Sequence, residues 1–338
     1  MSLLRVGVMG CAEIAQRRLL PALSASPEVQ VTAVASRDPA RAGDVARRFG
    51  AEPVVGYSAL LERADVDAVY VPLPVALHAT WVEAALGAGK HVLAEKPLTT
   101  CRADTERLLA AARTAGRALV ENVMFVHHPQ HAAVGRLVRE GAIGELRSFH
   151  ATFTVPRRPA GDIRYSADLG GGALWDAALY PLRAALYFLG DELEVVGSAS
   201  THAAWTDVDL GGAALLLTPG GVSAQLSFGL DHAYRSRYEL CGSEGLLAVE
   251  PAFAPAAAHV PRLLLERSNH RETVVLPAAD QVRLAVDAFA LAAARAAPPD
   301  PAPLRVAALL DELRTRARLA GDGSPALAGL PGLRHRDS

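Results

Sequence analysis

The chain has 338 residues, 51% of them hydrophobic, a formal net charge of −2 and 5% aromatic content. It is long and apolar enough for one or two buried cores, and it lacks the basic block that a nucleic-acid surface needs. No apolar run approaches the ~18 residues of a membrane span. Three scattered cysteines, Cys11, Cys101 and Cys241, argue against a disulfide framework or zinc site. The N-terminus passes directly into Leu3-Leu4-Arg5-Val6-Gly7-Val8 without the pattern of a secretory leader, so a cytoplasmic protein is expected.

Leu3 to Val8 reads as a buried strand. Gly10, Cys11, Ala12, Glu13 and Ile14 follow, then a helical pattern through Leu19, Leu20 and Leu23. This strand–turn–helix order is that of a dinucleotide fingerprint, in which bare amides at a helix start hold a pyrophosphate. The fingerprint is degraded, because Ala12 and Ala15 stand where glycines are usual. Val29 to Ala35 is a second strand, and Asp38-Pro39 caps a helix to Phe49. Ser36 and Arg37 occupy the strand end where an acidic residue would bind a ribose diol. A hydroxyl and a guanidinium suit a 2′-phosphate there, which favours NADP over NAD.

The alternation continues with strands at Val66–Val71, His91–Ala94 and Ala118–Phe125, and helices at His78–Gly87 and Thr105–Ala115. It predicts an α/β doubly wound parallel sheet with ligands at the carboxyl ends of its strands. Those ends carry Leu73 and Pro74 (with His78 opening the next helix), then Glu95 and Lys96, then Asn122. Only two of the 34 basic residues counted as Lys or Arg are lysines, Lys90 and Lys96. Lysine gives up a proton far more readily than arginine when its surroundings demand it. Strand direction places Lys96 at the ligand edge and Lys90, a structural residue, at the opposite edge.

Beyond Phe125 the pattern changes. His127, His128 and His131 have no acidic or cysteine partner nearby in sequence, so no metal is expected. A helix (Ala132–Glu140), a strand (Glu145–Val155) and a long polar loop (156–172) lead to Gly170-Gly171-Gly172. A helix over Ala173–Leu189 follows, with Asp176 and Tyr180 four apart on one face. From Glu194 to Leu276, strands separated by turns predict a large, open, mostly antiparallel sheet. Helices are predicted at Val282–Ala296 and Leu304–Leu319. The domain reading is a dinucleotide-binding unit over 1–125, an α+β substrate and oligomerisation unit over 126–303, a helix over 304–320 packing back on the first unit, and a loosely held tail over 321–338.

The stretches Gly7-to-Ala15, Ala88-to-Pro97 with its Glu-Lys-Pro, His127-His128-Pro129 and Gly170-to-Tyr180 together resemble the glucose–fructose oxidoreductase and inositol dehydrogenase (Gfo/Idh/MocA) family. The resemblance runs to about residue 320. It implies a Rossmann domain, a second domain whose open sheet forms a dimer or tetramer, and a catalytic lysine falling on Lys96, with Asp176 and Tyr180 completing the pocket. Ala178 stands where a glycine is common and Arg18 where many members have histidine. Within the family, Gly10-Cys11-Ala12, Ala35-Ser36-Arg37, Asn122-to-His131 and Gly161-to-Tyr165 look most like NADPH-dependent nucleotide-sugar 3-ketoreductases of deoxysugar pathways. Those enzymes reduce a dTDP-linked 3,4-diketo-2,6-dideoxyhexose at C3.

On this reading Lys96 protonates the developing alkoxide, its pKa lowered by burial, while Tyr180 holds the same oxygen or relays the proton and Asp176 orients the lysine or grips a hydroxyl. Asn122 is assigned to cofactor and substrate. Arg157, Arg158, Arg164 and Arg235 are unranked candidates for phosphate, with Arg164 assigned to the cofactor and Arg157 and Arg235 to the substrate. Two alternatives stay open: a dehydrogenase of a free sugar, inositol or diol, and a non-catalytic NADP-binding sensor on the same fold.

Overall fold

The computed structural model describes residues 3–268 and 270–320, so the expectation of a loose tail over 321–338 falls outside the described residues. Six strands, β1 (Leu4–Met9), β2 (Val29–Ser36), β3 (Glu52–Val55), β4 (Ala68–Val71), β5 (His91–Ala94) and β6 (Leu119–Glu121), pair in the order β3-β2-β1-β4-β5-β6. All these pairs are parallel. Helices α1 (Leu20–Ala25), α2 (Pro39–Phe49), α3 (Tyr57–Leu61), α4 (His78–Gly87) and α5 (Arg102–Ala115) make the crossovers. Helices cover both faces, so β4 is buried at all four positions and reads as an unbroken apolar run. The order reverses between β1 and β4, and that reversal opens a crevice at their carboxyl ends.

Local chemistry sets the boundaries. Asp38 Oδ1 accepts from Ala40 N and Arg41 N at 2.9 and 3.4 Å, capping α2 with Pro39 in its first turn. Ahead of α1 the turn Ala15–Leu19 is π-helical, because Pro21 has no N–H for the carbonyl four residues back. Lys90 Nζ donates to Arg63 O and Val66 O at 2.8 and 2.7 Å, at the edge of the sheet away from the crevice. The sequence pattern did not predict β3 or α3: only Val54 of the four β3 residues is buried, so this edge strand has little periodicity to read. The strand expected to run to Phe125 ends at Glu121, and Met124–His127 form a 3₁₀ turn that carries Phe125 into the second core.

That second core lies against a nine-stranded sheet. Helix α6 (Pro129–Arg139) precedes β7 (Leu146–Thr154), and α7 (Ala173–Asp176) and α8 (Leu179–Leu189) follow it. Strands β8 (Glu194–Ala203), β9 (Thr206–Leu217), β10 (Ser223–Gly229), β11 (Arg235–Gly242), β12 (Leu246–Val249), β13 (Arg262–Arg267) and β14 (His270–Val275) come next. After them come α9 (Gln281–Ala294), α10 (Ala302–Arg316) and β15 (Ala317–Ala320). The sheet order is β14-β13-β12-β11-β7-β10-β9-β8-β15. Strand β10 runs parallel to β7 and β15 parallel to β8, and the other neighbouring pairs are antiparallel.

Along β10, buried Ala224, Leu226 and Phe228 alternate with Ser223, Gln225 and Ser227, so one face is covered by helices and the other is open. No helix among the described residues is long and apolar enough to cross a membrane.

Three sequence boundaries change. The helix expected over Ala173–Leu189 breaks at Ala177–Ala178. Pro181 cannot donate to Ala177 O, and Tyr180 N closes on that carbonyl instead at 3.3 Å. Ala178, which stands where the family commonly has a glycine, therefore sits at its break. The last helix ends at Arg316, where Ala317 turns extended (φ −60°, ψ 120°) and the chain pairs with β8. Helix α9, assigned by sequence to the second unit, buries Val286, Phe289 and Ala290 with Leu19 and Leu23 of the first. Helix α10 packs against α5 of the first unit, as expected, and also buries Val306, Leu309, Leu310 and Leu313 in the second core. It touches the first unit through Leu304, and through Asp311 Oδ2, which accepts from Arg102 N at 3.1 Å.

Candidate active site

The crevice between the two sheets holds a cavity of about 280 Å³. One wall comes from the parallel sheet: Ala12, Ile14 and Arg18 after β1, Pro72, Leu73 and Pro74 after β4, Glu95 and Lys96 after β5, and Asn122 after β6. The opposite wall comes from the second unit through Phe153, Arg158, Ile163, Arg164, Gly170, Gly171, Trp175, Asp176, Tyr180 and Phe253.

Lys96 is the centre of this arrangement. Its Nζ donates to Asp176 Oδ1 at 2.8 Å and Asp176 O at 3.0 Å, and lies 4.9 Å from the centroid of the Tyr180 ring. Arg164 Nε donates to the other carboxylate oxygen at 2.9 Å, and Arg164 is itself paired with Asp162. Burial alone would push the Lys96 ammonium down, as expected from sequence. The charge and hydrogen bond of Asp176 outweigh it and hold the pKa above the ordinary lysine value. Burial likewise opposes ionisation of Asp176, but Lys96 and Arg164 together hold that carboxyl well below the usual range. Burial raises the Tyr180 phenol, with Lys96 pulling against it. At neutral pH the trio is therefore an ammonium, a carboxylate and a neutral phenol.

Glu95 supports Lys96 from behind. Its buried Oε1 accepts from Tyr70 Oη and Asn122 Nδ2, both at 2.7 Å, which leaves the Asn122 Oδ1 buried and without a protein partner at the cavity wall. His78, assigned by sequence to the cofactor, is fully buried. Its ring nitrogens lie 2.8 Å from Leu73 O and 3.0 Å from Pro97 O, and burial holds the imidazole below its ordinary pKa. It ties the segment after β4 to the segment carrying Lys96, which is a positioning role.

The turn after β1 fits a dinucleotide. Gly10 has φ +113°, and a Cβ there would lie 2.9 Å from Leu73 Cδ2. Gln16 Nε2 and Arg41 donate to Cys11 O at 3.0 and 3.4 Å, while Glu13 pairs with Arg17 at the surface. Ser36 lies buried at the end of β2 and Arg37 beside it is exposed. Arg41, which the sequence reading did not single out, brings a second guanidinium to the same place. These residues lie outside the central cavity, beyond the wall that Ala12, Ile14 and Arg18 form.

Other assigned residues do not reach the cavity wall. Arg157 pairs with Asp231 at 3.8 Å and Arg235 with Glu250 at 3.8 Å. The histidine group serves structure: His128 Nδ1 caps α6 by accepting from Gln130 N at 3.2 Å, and buried His131 meets Tyr238 Oη at 2.8 Å. On the open sheet face His150, Glu239 and Cys241 come within 4.8 Å of one another. Glu239 is already held there by His150 and Arg237.

Asp209 on β9 is the main positioning residue that sequence reasoning missed. Its Oδ2 accepts from Leu174 N at 2.7 Å, at the start of the short helix that ends in Asp176. Gly172 has φ +116°, and a Cβ there would sit 2.4 Å from Asp209 Oδ1, so only glycine admits the carboxylate. Burial raises Asp209 to about 6. Gln281, at the start of α9, also lines the cavity. Its Nε2 is held by Phe253 O at 3.2 Å and its Oε1 is buried without a partner.

A Rossmann unit joined to an open mixed sheet, with a charged lysine at the β5 end facing an aspartate and a tyrosine, defines a dinucleotide-dependent oxidoreductase. The chain belongs to the Gfo/Idh/MocA oxidoreductase family: residues 4–123 match its NAD-binding Rossmann fold and residues 131–248 its C-terminal domain. It is 56% identical over 318 residues, 93% of this chain and 96% of the relative, to a dTDP-3,4-didehydro-2,6-dideoxy-alpha-D-glucose 3-reductase of Actinomadura kijaniata. A reductase of the same description from Streptomyces violaceoruber is 58% identical over 294 residues, 87% of this chain and 86% of the relative. A crystal structure of an A. kijaniata 3-ketoreductase with NADP and TDP-benzene superposes with a TM-score of 0.92 at 55% identity, covering 94% of this chain and 99% of the other. Solved variants of that ketoreductase replace a lysine by alanine or glutamate and a tyrosine by phenylalanine.

Proposed function

We propose that this chain is an NADPH-dependent 3-ketoreductase that reduces the C3 ketone of a dTDP-linked 3,4-diketo-2,6-dideoxyhexose. The observation that carries the reading is the convergence of Lys96, Asp176 and Tyr180 in one cavity, in a chain 56% identical to a reductase of that description. The backbone after Gly10 holds the cofactor pyrophosphate, and Ser36, Arg37 and Arg41 take the 2′-phosphate. The bound nicotinamide supplies the hydride.

Lys96 places its ammonium at the ketone oxygen and stabilises the charge that develops there, since Asp176 keeps it protonated. Two of its three N–H groups are engaged by Asp176, which leaves one for the substrate. Tyr180 has no hydrogen-bond partner among the described residues and stands over the ammonium, so its phenol delivers the proton as the neighbouring charge stabilises the phenolate. This assignment moves the proton from Lys96, as read from sequence, to Tyr180. The reason is geometric: Asp176 already engages the Lys96 ammonium twice, whereas the Tyr180 hydroxyl has no partner among the described residues.

We also propose a homo-oligomer formed through the open face of the nine-stranded sheet, where Val196, Leu215, Leu217 and Val275 are each at least 36% exposed.

The test follows NADPH oxidation with the dTDP-linked diketo sugar generated in situ, against free hexoses and inositol. Turnover confined to the nucleotide-linked substrate is expected, and equal turnover of free sugars would replace this reading by the free-sugar dehydrogenase. Y180F and K96M should each lower kcat roughly 10²–10⁴-fold while NADPH still binds. Near wild-type turnover in either removes the role given to that residue.

A further inference from the structure

Strand parity gathers three side chains of unlike chemistry on the open face of the nine-stranded sheet. Phe149 on β7 and Tyr238 and Leu240 on β11 are buried in the second core, so His150, Glu239 and Cys241 point the other way. Glu239 stands directly opposite His150 in this antiparallel pair, and Cys241 is two residues along, opposite Ser148. The register shifts between Cys241 and Gly242, and an irregularity of that kind re-aims the side chain beside it. Sequence spacing could not signal the group, because His150 and Glu239 are 89 residues apart.

The imidazole nitrogen, a carboxylate oxygen and the thiol sulfur lie within 4.8 Å of one another, and His150 Nδ1 is 3.0 Å from Glu239 Oε1. Around a tetrahedral zinc ion, with bonds of about 2.0 Å to nitrogen or oxygen and about 2.3 Å to sulfur, the ligand atoms stand roughly 3.3–3.5 Å apart. Side-chain adjustments of about 1 Å therefore close the set around an ion. Arg237 donates to Oε2 of Glu239, the oxygen turned away from His150. An outer partner in that position orients a ligating carboxylate and leaves its other oxygen to the metal. The group is sheltered yet reachable: the side chains of His150 and Glu239 are 36% and 19% exposed, and Cys241 is half-buried.

We propose that His150, Glu239 and Cys241 form a binding site for a zinc-class divalent cation, on the sheet face away from the catalytic cavity. None of the three lines that cavity, and the site does not depend on which substrate the cavity takes. On binding, Cys241 releases its thiol proton to solvent, so that one thiolate and one carboxylate neutralise the dication. His150 turns the lone pair of Nδ1 to the metal in place of its hydrogen bond to Glu239. Imidazole and thiolate select zinc over magnesium and calcium, which prefer oxygen ligands throughout. Water takes the fourth position, directed away from the sheet. The ion clamps β7 to β11, neighbours near the middle of the sheet order.

Titration of the chelator-treated full-length protein with Co²⁺, a spectroscopic stand-in for zinc, tests the site. Wild type should bind one ion per chain and develop thiolate-to-cobalt charge-transfer absorption, which Zn²⁺ abolishes by displacement and Mg²⁺ leaves unchanged. C241S, a one-atom exchange, should lose that absorption and bind Zn²⁺ at least about tenfold more weakly. H150A should keep the absorption at saturating Co²⁺ and weaken binding by about tenfold or more, and R237A, which removes only the outer partner, by about tenfold. Absorption that persists in C241S would put the ion on Cys11 or Cys101 and overturn the proposal. A wild-type protein that binds no Co²⁺, or an H150A variant with unchanged affinity, would overturn it as well.

Discussion

Lys96 and Asp176 are 80 residues apart in sequence, yet Nζ and Oδ1 meet at 2.8 Å across the junction of the two units. The pair makes catalytic competence depend on how the units dock, because the lysine comes from one and the carboxylate from the other. Removing one partner of such a buried pair leaves the other uncompensated.

The first prediction follows from that dependence. In D176N the charge that raises the Lys96 pKa is gone, and burial then pushes the ammonium below its ordinary value. The ammonium should be lost at lower pH, so the alkaline fall in kcat should begin earlier in the variant than in wild type. At neutral pH kcat should drop roughly 10²-fold. Superimposable pH profiles would show that Asp176 does not control the lysine.

Cofactor choice gives a second prediction. Arg37 and Arg41 lie beside Ser36 and Cys11, where we propose that the adenosine 2′-phosphate binds. R37A and R41A should each raise the KM for NADPH about tenfold or more, as expected for loss of a charge-assisted contact. The KM for NADH, which lacks the phosphate, should be unchanged. Steady-state kinetics with both cofactors reads the difference, and a parallel loss for both would assign the arginines to some other contact.

The third prediction concerns stability. Asp209 titrates near about 6 in the folded protein because burial raises it from an ordinary 3.8. A carboxyl that binds its proton more tightly when folded adds stability as the pH falls through that value, and loses the contribution as the pH rises. His202, Asp207 and Arg314 are the other charged or titratable groups lining the space around it. Wild type should therefore gain stability relative to D209N between about pH 7.5 and about pH 5. Urea unfolding of both proteins at the two pH values measures this, and a constant difference would mean that Asp209 does not titrate there.

Much of this protein was legible in its residues. The strand–turn–helix at Gly10, the alternation that follows and the sudden change after Phe125 identify a Rossmann unit and an antiparallel unit, because short-range periodicity reports local burial. Strand direction alone separates Lys96 from Lys90, since every strand of a parallel sheet delivers its end to one edge. Other features depend on contacts between distant segments. Sequence spacing placed Asp176 and Tyr180 on one helix, but Pro181 breaks that helix, and their convergence comes instead from the packing of α7 and α8 on the second sheet.

The raised Lys96 pKa, the structural role of His78 and the anchoring of α7 by Asp209 are likewise tertiary facts. Each depends on which charge or carbonyl stands within about 3 Å of a group once it is buried. The amino-acid sequence by itself determined which residues stand at the ends of the strands. Only the docking of the two units decided what those residues face, because the energy of a buried charge is set by its immediate neighbours and not by its place in the chain.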